Sequence, residues 1–113
     1  MKVHEKLGPV ARQLCWLFDA WIIGSSVPYL YELTEQKPKD IDIVVSLENW
    51  IVASKLIPQW AISNKFGGFK FQDGEFELDV WCDNITTLFI NNIKSKSNLT
   101  AYQPKHNLRI GVI

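Results

Sequence analysis

Asp40 and Asp42 stand two residues apart in the stretch Asp40-Ile41-Asp42-Ile43-Val44-Val45. Side chains alternate along a strand, so the two carboxylates share one face while Ile41, Ile43 and Val45 take the other. Two negative charges roughly 7 Å apart are costly alone and well suited to a divalent cation held between them. The chemistry implied is metal binding through oxygen ligands. A third acid, Asp79, lies in Glu75-Phe76-Glu77-Leu78-Asp79-Val80-Trp81, where Phe76, Leu78 and Val80 alternate with Glu75, Glu77, Asp79 and Trp81. It belongs to the polar side of another strand. Ahead of both, the apolar run Ala20-Trp21-Ile22-Ile23 stops at Gly24-Ser25, which reads as a strand-to-helix turn.

The elements that position these residues can be taken in order. Pro9, with Val10, Ala11, Leu14, Leu17 and Phe18, gives the stripe of an amphipathic helix ending near Asp19. Ser25 or Ser26 can cap a short helix through Pro28, Tyr29, Leu30 and Leu33. Ser46 can cap a helix from Leu47 to about Ile57, which Pro58 ends. Trp60 to Asn64 and Phe69 to Gln72 read as extended pieces around Gly67-Gly68, and Asp73-Gly74 as a hairpin turn. A short helix is expected through Ile85, Leu88, Phe89 and Ile93, then a loop from Lys94 to Asn98. Two extended pieces should flank Pro104 to Asn107.

Composition bounds the rest. At 113 residues the chain suits one domain with one core, over 1–113, and 47% apolar with 21% charged residues is ordinary for a globular protein. No apolar run approaches the roughly 20 residues of a membrane span, and Met1 to Lys6 has no apolar signal region, so a cytoplasmic setting is expected. Cys15 and Cys82 are expected to be free thiols, Cys15 in the core, and neither forms a zinc spacing with His4 or His106. Net charge is zero, yet residues 84–113 carry Lys94, Lys96, Lys105 and Arg109 and no acid. That basic end suits either a solvated sheet edge or a polyanion contact. Trp16, Trp21 and Trp50 read as core or near-core, whereas Trp81 shares the Asp79 face and could stack on a base.

Ile23-Gly24-Ser25, Asp40-Ile41-Asp42 and Leu78-Asp79-Val80, in that order over residues 20–83, resemble the nucleotidyltransferase superfamily of polymerase β-like enzymes. Phe66-Gly67-Gly68-Phe69 further resembles the head domain of the CCA-adding group. The resemblance implies an α+β nucleotidyltransferase fold, a mixed sheet of about four to five strands with helices packed on one side. It implies a magnesium-dependent transfer of a nucleoside monophosphate from a triphosphate such as ATP to a hydroxyl, with pyrophosphate leaving. Asp40, Asp42 and Asp79 would hold two magnesium ions and form the catalytic set, Asp79 also being a candidate base. Gly24 and Ser25 would meet the phosphates. The family's arginine after the glycine motif is replaced here by Ser26, Val27, Pro28 and Tyr29, so a lysine would have to grip the triphosphate. Lys39 is carried as that nucleotide-binding residue, with Lys65 and Lys70 as alternatives. The acceptor is open between RNA, protein and a small molecule, and a partner protein could supply its binding surface. The alternative within the same family is a non-catalytic module, of the antitoxin type, that binds nucleotide or a partner.

Overall fold

The computed structural model describes residues 2–64, 67–83 and 100–111. The order of elements is α1 (Lys2–Lys6), α2 (Pro9–Leu17), β1 (Trp21–Ile23), α3 (Ser26–Leu30), β2 (Asp40–Ser46), α4 (Leu47–Ala53), β3 (Ile62–Ser63), β4 (Phe69–Asp73), β5 (Phe76–Asp83), β6 (Thr100–Gln103) and β7 (Leu108–Gly111). Short 3₁₀ turns follow α4 and β6. The strands form one mixed sheet in the order β3-β4-β5-β2-β1-β6-β7. β2 and β5 run parallel at its centre, and every other neighbouring pair is antiparallel.

The chain is therefore α+β with an open mixed sheet, and its seven described strands exceed the four to five expected. Both extended pieces around Pro104 enter the sheet, and β3 pairs with β4 as a separate two-residue edge. The expected helix over 85–93 and the loop over 94–98 lie outside the described residues.

Alternation along the central strands decides which face carries the core. Ile41, Ile43 and Val45 of β2, Leu78 and Val80 of β5, and Ile22 of β1 are wholly buried, and they pack with Val3, Ala11, Leu14, Val27, Leu30 and Ala53 from the four helices. The helices thus cover one face, as the alternation of Ile41, Ile43 and Val45 requires. The opposite face carries the acids on β2 and β5, and further along a small apolar group of Ala101 with Trp21, Ile23 and Ile110. Cys15 is wholly buried, which pushes its thiol pKa far up and leaves it a neutral core residue, and neither cysteine is in a disulfide.

Local expectations fail at several points. Leu17 stays 65% exposed although it lies on the predicted stripe of α2, whose buried residues are Ala11, Leu14 and Cys15. The hairpin turn is Gly74-Glu75 rather than Asp73-Gly74, because Asp73 still pairs with Phe76 and Gly74 takes the left-handed conformation at φ +64°. Asp73 has another task. Its carboxylate accepts hydrogen bonds from the backbone N–H groups of Val10 (3.1 Å) and Ala11 (2.9 Å), and it caps the start of α2 from 63 residues away. Gly8, at the N-cap, has no side chain to do this, and a Cβ there would stand 2.5 Å from the Asp73 backbone oxygen. Asp73→Ala should therefore cost about 1–2 kcal/mol, read by chemical denaturation. Asp73→Asn, which keeps one acceptor, should cost less.

Ser46 occupies the N-cap position of α4 but makes no side-chain cap bond, and the helix gives way to a 3₁₀ turn after Ala53. Leu33 lies beyond α3 and is 60% exposed. Two of the four basic residues of the C-terminal stretch are engaged within the chain: Lys105 pairs with Asp19 at 3.1 Å, and the Arg109 guanidinium sits over the Tyr31 ring at 5.2 Å. Lys94 and Lys96 lie outside the described residues. No helix among the described residues is long and apolar enough to cross a membrane.

Candidate functional site

Parallel pairing of β2 with β5 sets Asp42 directly beside Asp79 and Asp40 directly beside Glu77. Residues opposite one another in a sheet point to the same face, and neighbouring strands lie about 4.8 Å apart. The two strands thus place four carboxylates on two adjacent rungs. Asp79 is 8% exposed and sits deepest, while Asp40 and Asp42 are half-buried.

The β1–α3 turn closes on the same rung. Ile23 pairs with Asp42 across the antiparallel β1–β2 ladder, and Gly24 follows with φ +80°. A Cβ on Gly24 would lie 3.7 Å from Asp42 Oδ2, so the turn and the carboxylate are in direct contact range. The turn is anchored from behind by the Gly24 N–H donating to the Thr100 carbonyl at 3.0 Å. Ser25 takes the N-cap position, yet its backbone is already helical and its side chain makes no cap bond. Its hydroxyl is exposed beside the turn.

On the other flank, β4 brings Lys70 into register with Asp79. The Lys70 ammonium lies 3.3 Å from Glu77 Oε1 and 3.4 Å from Asp79 Oδ2. Its pKa is raised, first by the hydrogen bond to Glu77 and then by Asp79. Asp79 Oδ1 accepts a hydrogen bond from Asn64 Nδ2 at 2.9 Å. Asn64 is itself fixed by the turn between β3 and β4: its Oδ1 accepts from the Gly68 N–H at 2.8 Å, and its own N–H donates to the Gly68 carbonyl at 3.0 Å. Both oxygens of Asp79 are therefore held, one by an amide and one by an ammonium.

Asp42 and Asp79, with Gly24 and Ser25, are brought together as their order in the chain suggests, and Asp40 joins one rung along. Among the described residues no group of three His, Cys, Asp or Glu side chains converges closely enough to hold a metal as the side chains stand. The donor chemistry nevertheless suits a hard cation, since paired carboxylates are magnesium-type ligands and Asp79 already carries a positive charge in the form of Lys70. Of the two candidate lysines among the described residues, Lys70 is the one at the acids and Lys39 is exposed just before β2; Lys65 lies outside the described residues. Trp81 is only 7% exposed, which removes its indole from a base-stacking role. Asn64 escaped sequence reasoning, because its role depends on a turn folding back onto β5. Its position shortly before Gly67-Gly68 is the only local sign.

A cleft of about 540 Å³ lined by Trp16, Leu30, Tyr31 and Tyr102 lies on the helix-bearing side, away from the acids. No family model, curated protein or solved structure matches this chain.

Proposed function

We propose that the chain is a magnesium-dependent nucleotidyltransferase that moves a nucleoside monophosphate from a triphosphate to a hydroxyl. The observation that carries this is the register of Asp42 beside Asp79, with the Gly24 turn against Asp42. The motif order that resembles the nucleotidyltransferases and this juxtaposition are independent, since nothing in the spacing of residues 40 and 79 obliges their strands to pair.

In the proposed reaction the hydroxyl oxygen attacks the α-phosphorus, its P–O bond forms, and the bond to the bridging oxygen of the β-phosphate breaks as pyrophosphate leaves. The hydroxyl proton passes to a carboxylate, for which Asp79 is the candidate. Asp42 and Asp79 would hold the metal, with Asp40 on the same face. Magnesium, when bound, supplies charge neutralisation for the phosphates and acidifies the attacking hydroxyl. Gly24 leaves room for a phosphate to approach the backbone, and the uncommitted Ser25 hydroxyl can donate to it. Partners are then a nucleoside triphosphate and an acceptor that is RNA, protein or a small molecule, presented where needed by a second protein.

A second reading, a nucleotidyltransferase-like binding module, is favoured by one feature. Lys70 already supplies charge to Glu77 and Asp79, and α3 (Ser26–Leu30) offers the phosphates no basic side chain. The two readings separate on one measurement, the transfer of α-phosphate label from nucleoside triphosphates to candidate acceptors in magnesium. Label that moves supports the enzyme. Nucleotide or partner binding with no label moved supports the module.

A further inference from the structure

We infer that Lys70 is a built-in counter-ion, which occupies the acidic face in the absence of metal and must leave Asp79 before a divalent ion can bind there. This rests on Asp42 and Asp79 being the metal pair.

The face concentrates negative charge: Asp40 beside Glu77 on one rung, Asp42 beside Asp79 on the next. Like charges directly opposite one another in a sheet destabilise it. Lys70 touches one acid on each rung, Glu77 at 3.3 Å and Asp79 at 3.4 Å, and so lowers the repulsion in both rows at once. Its position comes from the β4–β5 register and not from chance on a mobile surface, because Lys70 pairs with Asp79 in the ladder.

The contact divides the Asp79 carboxylate. Asn64 holds Oδ1 and Lys70 holds Oδ2. A metal ion held by Oδ2 would share that oxygen with an ammonium 3.4 Å away, and the two positive charges would repel each other and compete for it. Exchange at Oδ2 leaves the Asn64 bond intact, so the carboxylate keeps its orientation whichever cation it carries. Lys70 can withdraw because its side chain is one-third exposed and ends in a flexible stem. Ion affinity in the free chain is consequently set by competition with Lys70.

The test is a titration of the 113-residue chain with Mn²⁺, with free ion followed by electron paramagnetic resonance. Lys70→Met should bind Mn²⁺ about tenfold more tightly than the unaltered chain. Lys70→Gln, which keeps polar reach without charge, should do the same and guards against a folding defect in the first variant. Lys70→Arg should bind like the unaltered chain. Lys37→Met removes a cation that pairs with Glu75 instead, and should leave affinity unchanged. A purely structural role for Lys70 predicts the opposite sign, because loosening the site weakens ion binding. If the unaltered chain binds Mn²⁺ and both neutral variants bind no more tightly, the counter-ion role is overturned and the metal pair stands. If Asp42→Asn binds Mn²⁺ as well as the unaltered chain does, the metal pair itself is overturned, and the inference with it.

Discussion

Asp42→Asn is expected to abolish label transfer from nucleoside triphosphates while leaving the fold intact. Under the proposed function, Asp42 is the ligand closest to the Gly24 turn. Losing it removes about 4 kcal/mol of transition-state stabilisation, or about a thousandfold in rate. Stability should change by no more than about 0.5 kcal/mol, because Asp42 is half-buried on the acid-bearing face and the core lies on the other side. Glu75→Gln is the matched control: its carboxylate pairs with Lys37 at 3.1 Å, away from the site, and transfer should continue at the unaltered rate. An Asp42→Asn protein that transfers label normally would dismiss the enzymatic assignment.

Gly68→Ala should be the most damaging single substitution among the glycines that frame the site. A Cβ there would stand 2.7 Å from both Cα and Cβ of Trp81 and would also strike the Val80 carbonyl, all parts of the chain that cannot rotate away. The expected cost is about 3 kcal/mol, which in a domain of this size lowers the melting temperature by about 10 °C. The same push draws the Gly68 N–H off Asn64 Oδ1, so Asn64 loses the bond that aims its amide at Asp79. Gly67→Ala is the informative comparison. Gly67 has φ +77° and no described residue within 4 Å of its missing Cβ, so alanine there is set chiefly against the backbone preference, about 1 kcal/mol. Thermal melts of the two variants should differ clearly. Equal losses would show that the close approach of Gly68 to Trp81 is not what holds the β3–β4 turn in place.

The two residues illustrate a wider division. Gly67-Gly68 is visible in the chain as a break, and the break is real, but which glycine is indispensable depends on Trp81 approaching from β5. Likewise Asp73-Gly74 marks a hairpin, yet the turn moves on by one residue because Asp73 still pairs with Phe76, while its carboxylate is taken up by α2.

What the sequence determined by itself is the allocation of side chains to faces. Alternation in Asp40-Ile41-Asp42-Ile43 and in Leu78-Asp79-Val80 is a local property, enforced by strand geometry and by the gain from burying Ile41, Ile43, Leu78 and Val80 on one side. The Gly24-Ser25 turn is equally local, since a glycine before a short helix can take the φ of +80° that other residues resist. Tertiary structure alone decided which acids stand abreast, that Lys70 reaches them, and that Asn64 steadies Asp79. Those outcomes depend on strand register between segments far apart in the chain, and a shift of one residue would turn every carboxylate into the core. Burial of the apolar faces fixes that register, and the acidic site is positioned as its consequence.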